Sequence, residues 1–302
     1  MSDIYQQIWD TDVRDWHGVQ AISKSDADAG AQLPDEGYVI VDEKIQHLGN
    51  SDLIIAVNIP DAKQDSYKLI ERLFNNYTLD QTKPEHNFPE EEQEVSDYLD
   101  LVQDCPPMKV AREYVNAQIA TQASSGAIQP LSVAEWRAII RRAWFEQFDL
   151  GHNLNLSGFE HVFVGEQKQG TVQGYHFWYK YFLDEHFRVP AAANNNQPEQ
   201  DLLKVLQQSL NQSIDVVTLK FQYRAFDFDA KEFRPLTKPL GGFFVGPSAA
   251  GLMAMGLVRF LPNALSPKQA DIHGYHYNLQ MFRSADDRNM RTFYPEFVGV
   301  SH

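Results

Sequence analysis

The chain has 302 residues, of which 43% are hydrophobic and 22% are charged, and this globular composition excludes disorder over its whole length. No run reaches the roughly 18 to 20 consecutive apolar residues of a membrane-spanning helix, and the first residues lack signal-peptide character, so we expect a cytoplasmic protein. The single cysteine, Cys105, excludes an intramolecular disulfide and a thiolate-rich metal site.

The net charge of -15 is distributed unevenly. Residues 1–150 contain 27 acidic and 12 basic side chains, whereas residues 151–302 contain 14 of each. The neutral second half therefore has room for a local phosphate-binding face, although scattered cations can equally serve to solvate a surface. The cations considered for such a face are Lys168, Lys180, Arg188, Lys220, Arg224, Lys231, Arg234 and Lys238.

The first half predicts helices. Apolar residues recur at helical spacing in 3–16, 60–77 and 132–148, and a further helical stretch covers 108–120. The second of these should begin at a capping Asp61, and the third at a capping box formed by Ser132 and Glu135. A proline-punctuated acidic connector, residues 79–94, separates them.

The second half changes to the period-two alternation of strands. The predicted antiparallel strands are 159–166, 171–178, 214–226, 239–246, 273–282 and 290–300. A polar loop, residues 190–200, should lead into a short helix at 201–210. The sequence therefore predicts an α+β fold, with a mainly helical part at 1–150 and a β-rich catalytic part at 151–302.

Two histidines flank the turn at Lys168 and Gln169. In a two-residue hairpin His161 and His176 would be direct cross-strand partners with Cβ atoms about 5 Å apart, and a bulge at Gly170 would shift them by one position. They could be hydrogen-bonded members of an aromatic sheet face, or a facing acid and base. Two imidazoles can supply one neutral base and one charged acid near neutral pH, which RNA cleavage requires together with a cation.

Several motifs resemble those of one enzyme family. The signature of the EndoU family of poly(U)-specific endoribonucleases, also called XendoU-like, is similar to two stretches of this chain, "SGFEHVFVGE" and "GYHFW". Four further motifs occur in family order along the chain: "YQQIWDTDV", "MKVAREYV", "FFVGPS" and "TFYP". The resemblance implies cleavage of single-stranded RNA at uridines by the 2'-hydroxyl, with 2',3'-cyclic phosphate and 5'-hydroxyl products. It implies no DNA cleavage, and the absence of a long apolar run predicts no membrane partner. This mechanism requires no cofactor, although family members differ in their dependence on Mn²⁺ or Ca²⁺. Stimulation by either ion therefore stays open, and no metal ligand is assigned.

The resemblance also assigns the residues of the catalytic centre. It makes His161 the general acid, His176 the general base and Lys238, placed just before a strand, the third member. Glu160 and Glu166 resemble glutamates that support the site, and Glu160 either orients a histidine or pairs with a base on the other sheet face.

The uridine-binding residues carry the clearest departure from the family. Tyr294 resembles the tyrosine that borders the uracil, with Thr292 as its companion. Family members often have a serine a few residues after the lysine, where its hydroxyl helps to read the base, but here Gly241 and Gly242 occupy that region. Uridine selectivity is therefore less firmly implied than cleavage.

Two other functions remain open. The chain could be an RNA-binding module of the same fold with weak catalysis, or the nuclease domain of a toxin, although we expect no delivery region. After "FFVGPS" we expect a helix with a different surface from the family's. His273 and His276 lie on an alternating strand, and we expect them to be structural and to lack a nearby carboxylate partner.

Overall fold

The computed structural model describes most of the chain. The described ranges are 3–44, 52–121, 129–151, 154–189, 200–209, 213–262 and 265–301. The loop predicted at 190–200 lies outside these ranges except for its last residue, which begins a strand. Within them no helix combines the length and the apolar character that crossing a membrane would require.

Of the eight α-helices in the described ranges, six lie within residues 1–150, as the sequence predicts. The helices are α1 (Ile4–Asp15), α2 (Lys24–Asp28), α3 (Gln64–Arg72), α4 (Pro89–Val102), α5 (Pro106–Thr121), α6 (Val133–Trp144), α7 (Trp178–His186) and α8 (Ala249–Arg259). The long helices α1, α5 and α6 follow the predicted segments. α8 confirms the helix expected after "FFVGPS", and all of its residues are buried.

Within the described ranges the strands form a five-stranded and a three-stranded sheet in the second half, a three-stranded sheet in the first half and two further two-stranded sheets. The strands are β1 (Gln20–Ser23), β2 (Tyr38–Val41), β3 (Ile54–Asn58), β4 (Phe148–Asp149), β5 (Leu154–Leu156), β6 (Glu166–Lys168), β7 (Thr171–Gln173), β8 (Arg188–Val189), β9 (Gln200–Asp201), β10 (Leu203–Ser209), β11 (Val216–Asp227), β12 (Glu232–Phe244), β13 (Gln269–Ile272), β14 (Tyr275–Arg283) and β15 (Met290–Val300). This architecture confirms the α+β fold class.

The two larger sheets of the second half carry the residues of interest. One has the strand order β10-β11-β12-β7-β6, in which β11 and β12 are antiparallel and β12 pairs with β7 in parallel. The other is the antiparallel sheet β13-β14-β15. The strands predicted at 273–282 and 290–300 are confirmed as β14 and β15.

The capping predictions have one success and one failure. Ser132 and Glu135 form the predicted capping box, in which the Ser132 hydroxyl accepts from the Glu135 N–H at 3.3 Å and the Glu135 carboxylate accepts from the Ser132 N–H at 2.8 Å. Asp61 does not cap α3. It begins a 3₁₀ turn that precedes the helix, and its carboxylate accepts from the side chain of Gln64.

The prediction of a strand at 159–166 is wrong, since Glu160–Val164 forms a π-helical turn. The cause is a second reciprocal cap. The Ser157 hydroxyl accepts from the Glu160 N–H at 3.1 Å, and the Glu160 carboxylate accepts from the Ser157 N–H at 3.3 Å. This spacing of Ser and Glu is the helix-start signal that the sequence carries at 132–135, and here it overrides the alternating pattern.

Two further sequence predictions are wrong. Residues 201–210 were expected to be helical, but 203–209 form β10, which pairs with β11. The strand predicted at 171–178 ends at 173, and 178–186 form α7. The first half is mainly helical as predicted, and it also contains a small mixed sheet of β1, β2 and β3 that the sequence did not reveal. In β10 the pairing of backbone groups with a distant strand outweighs the local preference of a short segment.

Helices of the first half pack directly on elements of the second. Asp12 of α1 is fully buried, and its carboxylate accepts from the backbone N–H and the hydroxyl of Ser248, the N-cap of α8. Burial raises the pKa of Asp12 to about 6. Trp9 packs edge-on against Phe244 at the end of β12, with ring centroids 5.3 Å apart. The functional division between 1–150 and 151–302 stays a prediction.

Candidate active site

Six of the eight predicted site residues line one cleft. The cleft has a volume of about 500 Å³ and lies where β12 of the larger sheet meets β15 of the smaller one. The six residues are His161, His176, Lys238, Gly242, Thr292 and Tyr294. Glu160 and Glu166 are buried behind it. Their catalytic and binding roles stay predictions.

His161 is oriented by a carboxylate. Its Nδ1 lies 2.8 Å from Oε1 of Glu166, whose side chain is 1% exposed. Gly165, with φ +80, separates the π-helical turn from β6 and reverses the chain, so that Glu166 returns toward the imidazole. A carboxylate partner stabilises the imidazolium and leaves Nε2 as the proton-donating atom.

His176 is oriented by a carbonyl. Its Nδ1 donates to the backbone oxygen of Gly242 at 2.7 Å, so in the neutral ring Nε2 carries the lone pair. Burial, and then the nearby Lys238 and His161, hold the pKa of His176 well below its ordinary value. The two imidazole centroids are 6.2 Å apart. One ring is thus held as a base and the other beside a carboxylate.

The prediction that the histidines are cross-strand partners is wrong. The hairpin consists of β6 and β7 only, with Lys168 paired to Thr171 across the turn. His161 precedes the hairpin, on the π-helical turn, and His176 follows it. Two backbone hydrogen bonds nevertheless bring the segments together, from the N–H of Tyr175 to the His161 carbonyl and from the N–H of His176 to the Val162 carbonyl.

Lys238 lies inside β12, which begins seven residues earlier than predicted, and its side chain is buried. Its Nζ donates to the carbonyl oxygen of Gly174 at 2.5 Å. Burial lowers the pKa of Lys238 to about 8, against the opposing influence of the Glu166 carboxylate. The ammonium is therefore largely charged at neutral pH and stands close to both histidines.

Gly174 connects these groups, although the sequence did not single it out. It adopts φ +62, and a Cβ at this position would collide with the carbonyl oxygen of His161. The next residue, Tyr175, is also left-handed at φ +67, which is strained for a bulky side chain. Its hydroxyl donates to Asp184 at 2.5 Å inside the core. The "GY" before His176 is the only sequence signal for this arrangement.

Comparison with known proteins identifies the family. The family model described as Endoribonuclease XendoU matches residues 1–295. The chain belongs to the XendoU endoribonuclease family. It is therefore an endoribonuclease.

Relatives and a solved structure agree with this membership. The chain is 23% identical to a poly(U)-specific endoribonuclease-B of Xenopus laevis, over 100% of this chain and 95% of the relative. It is 27% identical to a uridylate-specific endoribonuclease B of Danio rerio, over 92% of each. The solved structure of XendoU, described as a splicing-independent snoRNA-processing endoribonuclease, shares the fold with a TM-score of 0.64 and 20% identity, over 99% of this chain and 96% of that one.

Buried carboxyls lie behind His161 in this XendoU family member. Glu160 is fully buried and does not bond any histidine of the described ranges. Burial, and then Glu85 and Glu166, raise its pKa well above the ordinary value. Glu85 accepts from the N–H of Thr78, and burial raises its pKa to about 8. Each of the three carboxyls has one buried oxygen without a hydrogen-bond partner in the described part of the chain. These oxygens are Oε1 of Glu85, Oε1 of Glu160 and Oε2 of Glu166.

The opposite side of the cleft carries an aromatic ring and two hydroxyls. The ring of Tyr294 stacks on that of His176, with centroids 4.6 Å apart and planes 16° apart. The hydroxyl of Thr292 is buried and has no partner among the described residues. Thr218, which the sequence did not single out, also lines the cleft, next to Gly242.

The prediction for His273 and His276 is wrong in one respect. His273 bonds Asp215 at 3.0 Å and His276 bonds Asp271 at 2.8 Å, so each has the carboxylate partner that the sequence did not reveal. Across the described ranges, no three or more His, Cys, Asp or Glu side chains are grouped so as to hold a metal ion.

Proposed function

We propose that this endoribonuclease prefers uridylates and cleaves single-stranded RNA by attack of the 2'-hydroxyl on the adjacent phosphate. The products are a 2',3'-cyclic phosphate and a 5'-hydroxyl. The names of the Xenopus laevis and Danio rerio relatives support the uridylate preference. The observation that carries the chemistry is the pair of imidazoles 6.2 Å apart, one bonded to a carboxylate and the other to a carbonyl.

The different partners assign the two proton transfers. His176 has a low pKa and a free lone pair on Nε2, so it accepts the proton of the 2'-hydroxyl. His161, whose positive charge the Glu166 carboxylate stabilises, donates a proton to the departing 5'-oxygen. The reaction leaves His176 charged and His161 neutral, and proton exchange with water restores both.

Lys238 stabilises the developing negative charge. The non-bridging phosphate oxygens gain charge as the 2'-oxygen attacks, and a buried ammonium acts strongly on such charge because little water screens it. The bond to the Gly174 carbonyl fixes the ammonium before substrate arrives. Acid, base and cation are all side chains, so this scheme does not depend on a metal ion.

Tyr294 and Thr292 form the base-binding side of the cleft in this scheme. The half-buried ring of Tyr294 offers an aromatic surface beside His176. The unpartnered hydroxyl of Thr292 can donate to or accept from a base. A pyrimidine with a donor and acceptors on its edge satisfies both kinds of contact.

A single-uridine oligoribonucleotide tests the proposal. The wild-type protein should cut 3' of the uridine and leave a terminal cyclic phosphate on the upstream fragment, with and without a chelator. Replacing the uridine by 2'-deoxyuridine should block cutting while binding persists. Cutting of the deoxy substrate, or an initial 3'-hydroxyl product, would contradict the proposal. RNA that binds and is never cut would favour the RNA-binding alternative, and added Mn²⁺ or Ca²⁺ measures any stimulation.

A further inference from the structure

The outer face of β11 is polar from Thr218 to Arg224. Side chains of a strand alternate between two faces, and in β11 every second residue from 217 on is buried in the core. The alternate positions reach solvent, and from the cleft outward they are Thr218, Lys220, Gln222 and Arg224, followed by Phe226 near the end of the strand. Since both bulges of this region fall on the neighbouring strands, the alternation in β11 is uninterrupted.

Neighbouring strands extend this face. Lys204 of β10 and Thr237 of β12 pair with Gln222 from either side, so the three form one cross-strand row. We call Lys204, Lys220 and Arg224 the cationic face. Within the described ranges none of these three forms an ion pair, whereas Arg188 and Arg234 nearby bind Asp201 and Asp227.

The acidic residues around the cationic face are already paired. The stretches 203–209, 216–226 and 233–244 contain no Asp or Glu, although the chain has 41 acidic residues and a net charge of -15. The acids that border these stretches bind arginines, Asp201 to Arg188 and both Asp227 and Glu232 to Arg234. Unpaired cations among acids that are already neutralised produce a local positive potential in an otherwise acidic protein. Such a potential attracts a polyanion.

The cationic face is continuous with the cleft. Thr218, at one end of the outer row of β11, lines the cleft that holds the histidines. Lys204 and Arg224, at the other end, line a second hollow of about 550 Å³, together with Asp201, which is paired with Arg188. Six residues of strand separate Thr218 from Arg224, roughly 20 Å. This distance exceeds the reach of one nucleotide held in the cleft.

We propose that the cationic face binds the phosphates of the RNA strand that flanks the scissile nucleotide, so that RNA leaves the cleft along the outer side of β11. This proposal rests on the proposed function. The contacts are to the backbone and carry no sequence preference. Their effect is therefore to favour long single strands over short ones.

A triple variant, Lys204→Gln/Lys220→Gln/Arg224→Gln, tests the cationic face. With an oligonucleotide of about ten nucleotides, within the usual 4 to 16 of a single-strand site, KM should rise on the order of tenfold. With a uridylyl dinucleotide, which reaches only the cleft, kcat/KM should stay unchanged. The slope of log affinity against log salt should become shallower by about 2, because each lost phosphate contact on single strands removes about 0.7.

The control is Lys44→Gln/Lys68→Gln/Lys268→Gln, which changes the net charge equally at three exposed lysines that line neither hollow. It should leave the KM for the long strand near the wild-type value. Equal increases of KM in both triple variants, or no increase in the first, would overturn the proposal that the cationic face binds RNA. Cleavage by the wild-type protein would still support the proposed function in that case. A wild-type protein that cuts neither substrate would instead refute the function.

Gly242 leaves an open space in the cleft beside a hydroxyl. A Cβ at this position would lie 3.4 Å from the carbonyl oxygens of Pro295 and Val217 and 3.6 Å from Oγ1 of Thr218. These are ordinary contact distances, so a small side chain would fit. The Thr218 hydroxyl donates no hydrogen bond to any described residue, and it borders the space that a serine at 242 would fill.

We infer that Thr218 supplies the hydroxyl that contacts the polar edge of the base. It would replace the serine that family members often have in the region where this chain has Gly242. The inference rests on the proposed function and on the geometry at Gly242, independently of the cationic face. A hydroxyl both donates and accepts, so it can pair with the ring N–H or an oxygen of uracil.

Thr218→Val keeps the shape and strand preference of threonine and removes only the hydroxyl. It should lower kcat/KM at uridine by about tenfold, the effect of one hydrogen bond of ordinary strength. Cutting at a scissile ribose without a base should be unchanged. Thr218→Ser should retain the uridine rate, and Thr218→Val/Gly242→Ser should recover it. Equal losses on both substrates, or no recovery in the double variant, would overturn the assignment.

Discussion

Glu85 offers a test of the buried carboxyls behind His161. Its pKa is raised from 4.5 to about 8, mainly by burial. A protonated carboxyl is thus favoured in the folded state, and the associated stability is fully present below about pH 4.5 and is lost as pH rises toward 8. A rise from 4.5 to about 8 corresponds to about 5 kcal/mol. Glu85→Gln mimics the protonated form and should not suffer this loss.

Because Glu85 and the buried Glu160 influence each other's protonation, we expect part of that energy, at least about 2 kcal/mol, to appear in the single variant. Urea unfolding should show Glu85→Gln close to wild type at pH 5 and more stable by this amount at pH 8. Glu90→Gln, at an exposed position of α4, is the control and should show no such difference. A Glu85→Gln protein less stable than wild type at pH 8 would refute the reasoning.

Three other predictions concern catalysis. His161→Ala and His176→Ala should each slow cleavage by about 10² to 10⁴ with unchanged circular dichroism, and the wild-type pH–rate profile should be bell-shaped; a folded variant at the wild-type rate would contradict the assignment. Lys238→Met should lower kcat by about two to four orders of magnitude with little change in RNA affinity, as steady-state kinetics and binding assays will show. Gly174→Ala should lower kcat at least about 10²-fold, because the new Cβ displaces the His161 carbonyl. Gly170 is also in the left-handed region but has open space around it, so Gly170→Ala should only reduce the free energy of unfolding by about 1 kcal/mol, measured by thermal unfolding. Similar kcat values in the two glycine variants would argue against the displacement.

The features that sequence predicted well are those fixed by near neighbours along the chain. α6 follows from its capping box and one apolar stripe, and β15 follows from an unbroken alternation, whereas α8 was expected only from the resemblance to the family. The candidate site was predicted residue by residue from motifs resembling those of a family. Six of those residues indeed line one cleft, although local patterns alone placed the two histidines on the wrong kind of element.

The features that sequence missed depend on distant partners or on unread local signals. The sequence of β10 has a helical pattern, and its strand conformation depends on backbone pairing with β11. β1, β2 and β3 are too short to show a clear period. The π-helical turn was detectable, since Ser157 and Glu160 repeat the spacing of Ser132 and Glu135. Lys220 and Arg224 were among the cations considered for a phosphate-binding face. The sequence could not show that they share one face with Lys204 and Thr218, because the neighbours of a strand residue depend on the register of the sheet.

A single peptide plane holds the catalytic groups in place. The carbonyl of Gly174 accepts from the Lys238 ammonium, and the N–H of the same peptide, which belongs to Tyr175, donates to the carbonyl of His161. An engineer who wished to transplant this chemistry into another scaffold would therefore gain little by grafting three side chains. The template to copy is a left-handed dipeptide, and the histidine and lysine would have to be built around its two polar edges.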